Sequence, residues 1–200
     1  LEFRRVLFRS GQHLLVAISG GPDSVALLVL LHRLVARWRL RLTAVHFNYG
    51  LRGSESDEDQ AFVMALCESL GVPLHCVSLD VGTRPKRVSL QAQARELRYR
   101  AMAELAEALG VDRIALGHTA DDQAETILLW MVRGAGLTGL AGMPAERDGK
   151  IIRPLYEIRR PELLAFLDAA GRSYRQDSSN TKLVYTRNRI RHEVVPMLSR

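Results

Sequence analysis

Cysteine is scarce in this chain. Cys67 and Cys76 are the two present among 200 residues, too few for a disulfide framework. They do not form Cys-x-x-Cys, and neither has histidines at metal-ligand spacing. Both read as small buried apolar residues of a cytoplasmic protein. Long apolar runs are missing as well. None approaches the roughly 18 residues of a transmembrane helix, so no membrane partner is expected. No internal repeat or low-complexity tract interrupts the sequence.

What is present fits one α/β domain with a sizeable core: 47% of residues are apolar and 25% charged. The net charge is +6 and the pI about 9.8, compatible with a nucleic-acid partner. Residues 171–200 carry seven of the basic residues, Arg172, Arg175, Lys182, Arg187, Arg189, Arg191 and Arg200, against Asp177 and Glu193. Such a run is either a nucleic-acid surface or an ordinary solvated one. Residues 1–10 fit nothing downstream, and no long apolar segment or small-residue cleavage site follows them. They are expected to be a non-native leader outside the fold, with the domain running over 11–200.

The informative stretch is His13–Ser24. Leu14 to Ile18 is a short unbroken apolar run, suited to a strand buried on both faces of a parallel sheet. Gly20 and Gly21 permit a sharp turn and a close approach to a ligand. Asp23 or Ser24 can cap a buried helix over Val25 to Val35. A strand, a tight loop and a helix N-terminus together form an anion site. The common phosphate loop is excluded, because it needs a Gly-Lys-Ser/Thr ending and no lysine stands here.

Further strands are expected at Leu42–Phe47, Pro73–Leu79, Arg113–Gly117 and Ile151–Ile152. Helices are expected after Ser54 or Ser56, over Ser89–Leu109, Asp121–Val132 and Arg160–Ala170, and irregular chain from Gly171 to Val194. Alternation of this kind predicts a parallel sheet with helices on both faces. Ligands then gather beyond the carboxyl ends of the strands.

One such end is Gly117-His118-Thr119-Ala120-Asp121-Asp122-Gln123-Ala124-Glu125-Thr126. Asp121, Asp122 and Glu125 crowd three carboxylates into about one helical turn, so a cation is expected nearby. Mg²⁺ on ATP phosphates or a bound ammonium group would serve, and simple capping of the helix is the alternative. His118 beside them is either a ligand contact or a structural histidine. On the helix before it, Arg95, Arg98 and Tyr99 share a face. That face either grips phosphate or is a solvent face salt-bridged to Glu96 and Glu104.

Ser19-Gly20-Gly21-Pro22-Asp23-Ser24 resembles the pyrophosphate loop of the N-type ATP pyrophosphatases. Several further segments, in order along residues 13–198, are similar to the tRNA(Ile)-lysidine synthetase family. They are Asn48-Tyr49-Gly50-Leu51-Arg52, Ala94-Arg95 with Arg98-Tyr99, the Gly117–Thr126 segment, and Arg133-Gly134 through Gly142-Met143. Arg153-Pro154-Leu155 and Asp177-Ser178-Ser179-Asn180 through Arg191 complete the set. The resemblance implies an adenine-nucleotide alpha hydrolase-like, Rossmann-like fold. It also implies the catalytic domain of an enzyme whose C-terminal domains lie outside this sequence. The implied reaction uses ATP and Mg²⁺ to adenylate the wobble cytidine of tRNA(Ile) with a CAU anticodon. Free L-lysine then displaces AMP, and a homodimer is left open. By the same resemblance Ser19, Gly20, Gly21, Pro22, Asp23 and Ser24 hold the phosphates, and Asp23 and Asp122 are metal candidates. Asp23, Arg95, His118, Asp121, Asp122, Glu125 and Asn188 are the catalytic candidates, with Arg187 and Arg191 near the tRNA. A thiolase using the same adenylation, or an ATP-binding module without catalysis, are the alternatives.

Overall fold

The computed structural model describes residues 7–50, 53–82, 90–176 and 186–198, apart from the side chains of Gln91 and Thr138. Expectations about Leu51, Arg52, Ser89, Asp177–Asn180 and Lys182 lie outside the described residues.

The first strand, β1 (His13–Ala17), is followed by α1 (Pro22–Trp38), β2 (Arg41–Asn48), α2 (Ser54–Leu70) and β3 (Leu74–Ser78). Next come α3 (Leu90–Ala108), β4 (Arg113–Ala115), α4 (Ala120–Val132) and a short α5 (Leu137–Leu140). The hairpin strands β5 (Glu146–Arg147) and β6 (Ile151–Ile152) lead to α6 (Arg160–Ala169). Last come α7 (Thr186–Arg189), a π-helical turn over Ile190–Val194, and α8 (Val195–Leu198).

The sheet order is β3-β2-β1-β4-β6-β5. All neighbours are parallel except β5 and β6, which pair antiparallel with Arg147 opposite Ile151. That antiparallel edge is absent from the sequence expectation. It follows from a tight turn over Arg147–Lys150, closed by Lys150 N donating to Arg147 O (3.1 Å), whose central residues Asp148 and Gly149 both take positive φ (55° and 59°).

Strand alternation sorts the core onto two faces. Leu14 and Val16 point into a cluster with α1, α2 and α6, whereas Leu15 points into one with Met102 and Ala106 of α3. Helix α1 is buried from Ser24 to Leu31 without a break, the pattern of a helix enclosed by protein. Burying each such Leu or Val contributes roughly 1.5–3 kcal/mol.

Several local expectations need correction. Gly21 is the N-cap of α1 and Pro22 its first residue, so Asp23 and Ser24 sit inside the first turn and cap nothing. Pro22 supplies the preset φ that a first helical position favours. Gly53, not Ser54 or Ser56, precedes α2. Cys67 is buried, its thiol pushed up to about 11 by burial and by the neighbouring Cys76. Cys76 is exposed, because β3 is the sheet's edge strand. Residues 7–10 pack on the domain. Phe8 joins the core and meets Trp38 edge-on at 5.6 Å, and Ser10 Oγ donates to Trp38 O (2.9 Å). Thr186–Val194 is helical where irregular chain was expected, and the helical path continues through Leu198. Among the described residues no helix is long and apolar enough to cross a membrane.

Candidate active site

Strand order reverses between β1 and β4: the chain builds outward through β2 and β3, then returns to the other side of β1. A crevice opens beyond the carboxyl ends at such a reversal. The loop after β1 and the loop after β4 flank it here. The cleft has a volume of about 590 Å³, within the usual range for a small-molecule site.

The loop Ser19–Gly21 is closed by its own serines. Ser24 Oγ donates to Gly21 O (2.9 Å) and accepts from Ser19 N (3.2 Å). Gly20 has φ +93°, a region that L side chains rarely enter. The first helical backbone bond runs from Val25 N to Gly21 O (3.0 Å). The amides of Asp23 and Ser24 therefore precede the helical ladder at the positive end of α1. On the other side, Gly117 follows β4 against the first turn of α1. A Cβ there would sit 3.1 Å from Asp23 O and 3.2 Å from Ser24 Cα. The glycine lets the two loops meet.

The acidic candidates are met by arginines. Asp23 receives Arg160 Nε (3.2 Å) and Nη2, a bidentate pair reaching 137 residues along the chain. Asp121 Oδ2 accepts from Arg160 N (2.7 Å), so it caps the start of α6. Asp122 does two jobs. Its Oδ2 accepts from Thr119 N (3.0 Å) in a capping box, while Oδ1 takes Arg187 Nη2 (2.8 Å). Glu125 is 2% exposed and takes Arg187 Nε (2.8 Å), Arg191 Nε (2.5 Å) and Arg191 Nη2 (3.0 Å). Capping and charge neutralisation are both realised, with guanidinium groups as the cations.

Ser19, Gly21, Pro22, Asp23, Ser24, His118 and Asp122 line the cleft together. Gly20 shapes the loop from behind. Asn188 is half-buried on α7, Asp121 and Glu125 lie behind their arginines, and Arg95 is exposed on α3, where Arg98 instead reaches the lining. Sequence reasoning missed Arg160, Asp59 and the bracing role of Arg175. Arg175 N donates to Gly20 O (2.9 Å) while its side chain pairs with Asp59 (3.0 Å) and Glu58 (2.7 Å). No local pattern could reveal these contacts, since each joins distant segments.

Burial lifts the Asp23 carboxyl above its ordinary value, with the Arg160 guanidinium pulling the other way. His118 is pushed down to about 4 by burial, opposed by Asp122 and reinforced by Arg153, Arg98 and Arg95. Its Nδ1 is buried without a hydrogen bond. Between pH about 6.5 and about 4 the unfolded chain therefore binds a proton here that the folded chain does not. Stability falls as pH drops through that window, by about 3 kcal/mol for this group, and levels off below it. Urea midpoints across pH 4–7 should show a shallower acid loss in His118→Gln than in the parent chain.

The donors suit a nucleotide: a glycine turn with amides at a helix start, two serine hydroxyls, and arginines able to exchange a carboxylate for phosphate. Asp23 and Asp122 both face the cleft and act on one another electrostatically. They are hard oxygen donors of the kind Mg²⁺ takes alongside phosphate oxygens. Among the described residues no group of three or more histidine, cysteine or acidic side chains is placed as a ready metal cage.

The chain is 46% identical to the tRNA(Ile)-lysidine synthase of Porphyromonas gingivalis W83 over 97% of its own length and 42% of that protein's. It is likewise 46% identical to the tRNA(Ile)-lysidine synthase of Symbiobacterium thermophilum, over 98% and 42%. The chain thus spans less than half the length of these curated relatives. Among solved structures it is similar to the U34-tRNA thiolase NcsA of Methanococcus maripaludis with its [4Fe-4S] cluster. The TM-score is 0.79 and the identity 20%, over 98% of this chain and 69% of that one, a likeness of fold alone. The family described as PP-loop domain matches residues 2–198, and the chain belongs to it.

Proposed function

We propose that this chain carries out the adenylation and lysine transfer of a tRNA(Ile)-lysidine synthase. ATP binds with its phosphates on the Ser19–Ser24 loop. The C2 oxygen of the wobble cytidine of tRNA(Ile), CAU anticodon, attacks the α-phosphorus. The bond to the bridging oxygen breaks, and pyrophosphate leaves. The amine of L-lysine then attacks C2 of the adenylated base, AMP departs with the oxygen, and the amine loses its proton. Cytosine O2 leaves poorly until it is phosphorylated, which is why the first step is needed.

The chain's own groups would divide the work as follows. Amides and hydroxyls of the loop orient the phosphates and stabilise charge as it develops on the leaving group. Arg160, released from Asp23, is placed to take a phosphate oxygen. Asp23 and Asp122 would hold Mg²⁺, which supplies Lewis-acid stabilisation of phosphate charge. Asp122 and Glu125 offer the negative charge that a lysine ammonium requires, at present satisfied by Arg187 and Arg191. His118 is neutral at neutral pH and presents an unpartnered ring nitrogen beside them. Asn188 and Arg191 lie on the segment nearest the acids, and Arg95 lies further out on α3.

The carrying observation is that one cleft at the strand-order reversal joins the glycine loop to Asp122. Identity of 46% to named synthases along 97% of the chain supports the same reading. The thiolase alternative has weaker support: Cys67 lies in the last turn of α2 and Cys76 in the middle of β3, neither at the carboxyl end of a strand. With ATP and radiolabelled lysine, filter-bound label is expected on tRNA(Ile) bearing CAU, together with pyrophosphate release. Pyrophosphate release that ignores the RNA would refute the proposal.

A further inference from the structure

Beside the cleft, cations gather with little to neutralise them. Arg95, Arg98 and Arg147 surround the ring of Tyr99, with guanidinium carbons 5.1, 5.8 and 4.7 Å from its centroid. Arg95 Nη2 donates to the Tyr99 hydroxyl (3.5 Å), and Arg153 lies within hydrogen-bonding reach of the same oxygen. Helix α3 delivers Arg95, Arg98 and Tyr99 on one face. The β5–β6 hairpin delivers Arg147 and, just past the carboxyl end of β6, Arg153. Arg98 lines the nucleotide cleft, and Arg95, Arg98 and Arg153 all act electrostatically on His118. The cluster therefore adjoins the cleft at its β4 side.

Such a cluster is costly when empty. Arg153 is 2% exposed, and its Nε makes no hydrogen bond. Arg98 Nε is likewise buried without a hydrogen bond, and Arg147 Nε has only the ion pair with its chain neighbour Asp148. Among the described residues, Asp148 is the one carboxylate at ion-pair distance, 3.2 Å from Arg147 Nε. Tyr99 offers its electron-rich face, which offsets part of the repulsion. Buried donors are ordinarily satisfied and buried charges paired. Two buried guanidinium N–H groups without a partner, Arg98 Nε and Arg153 Nε, in a cluster of four cations with one adjacent carboxylate, call for an anion.

We propose that Arg95, Arg98, Arg147 and Arg153 form a phosphate-binding subsite beside the nucleotide loop. Planar guanidinium forks match phosphate oxygens, and several forks match more than one phosphate group. A lone carboxylate has too few oxygens and too little charge for this set. The phosphates come either from ATP or from the RNA backbone flanking the reacting base. That choice of sources rests on the function proposed above; the anion site itself does not.

The test begins with inorganic phosphate and the chain labelled with ¹⁵N in arginine. The Nε signals of Arg98, Arg147 and Arg153 should shift and saturate, while that of Arg100, paired with Glu96 on the exposed face of α3, should not. Arg95→Gln combined with Arg147→Gln should weaken phosphate at least about tenfold, and Arg100→Gln by less than about twofold. Unmoved Nε signals, acetate binding as well as phosphate, or equal losses in Arg100→Gln would each overturn the subsite. Displacement of phosphate from these signals by ATP assigns the nucleotide as the source. Displacement by an anticodon stem-loop without ATP assigns the RNA, with a salt dependence reduced by about one charge per arginine removed. The readout needs no turnover. A chain inactive toward lysine but binding phosphate here would fail the proposed reaction and keep the subsite.

Discussion

Replacing Glu125 by alanine should lower the chain's unfolding free energy by about 3–5 kcal/mol, read as a shift of the urea midpoint at unchanged slope. Glu125 is the most enclosed carboxylate of the site and holds Arg187 and Arg191 at once. Removing it strands Arg191, whose side chain is 19% exposed, with Asp122 at 3.5 Å as its remaining partner. The cost comes from that uncompensated charge more than from lost attraction, since a buried pair gains little over an apolar replacement. Two further substitutions separate the causes. Glu125→Gln keeps the shape and some hydrogen bonds, so it should cost less than Glu125→Ala. Adding Arg191→Met to Glu125→Ala removes the stranded cation and should recover part of the loss. A midpoint unmoved by Glu125→Ala would mean that the helix Thr186–Leu198 does not rest on α4 in solution.

That helix also shows where the sequence stops being legible. Strand β1, its glycine turn and α1 could be read directly, because an unbroken apolar run followed by Gly-Gly-Pro has few other local solutions. The parallel sheet followed from strict alternation of strands and helices. Thr186–Leu198 gave no such signal. Its residues are mostly polar, Pro196 lies inside it, and its π-turn at Ile190–Val194 displaces the 3.6-residue period. Its stability comes from arginines reaching acids on α4, a tertiary cause that no window of local sequence contains. The same holds at Asp23. The residue could be picked out from its place in the loop, whereas its partner Arg160, at the start of α6, could not. The capping misassignment has a simpler origin. Asp23, Ser24, Ser54 and Ser56 are all good caps by residue type, but the backbone turns one position or more earlier, at Gly21 and Gly53. The Asp148-Gly149 hairpin was open to reading as a turn dipeptide. Two-residue strands on either side left too short an alternation to suggest it.

Asp23→Asn should reduce tRNA-dependent pyrophosphate release by about 100- to 1000-fold, the range for losing one preorganised electrostatic group in an active site. The shape of the side chain is preserved, and Asp23 is not part of the apolar core, so the loss should not come from unfolding. In the proposed reaction Asp23 has two states. With the cleft empty it neutralises Arg160; with ATP bound it turns to the cation on the phosphates while Arg160 takes phosphate oxygen. The asparagine variant is already in the second arrangement as far as Arg160 is concerned, because that guanidinium has lost its anion. ATP should consequently bind the variant about as well as the parent chain, and the deficit should fall on turnover instead of KM. Arg160→Met should do the reverse in part, weakening ATP binding because the freed carboxylate now faces the phosphates unscreened. The double variant should turn over bound substrate no more slowly than Asp23→Asn alone, since both substitutions remove the same exchange, while binding ATP more weakly for want of the Arg160 contact to phosphate. Retention of more than a third of the parent turnover by Asp23→Asn would break the link between the glycine loop and the chemistry.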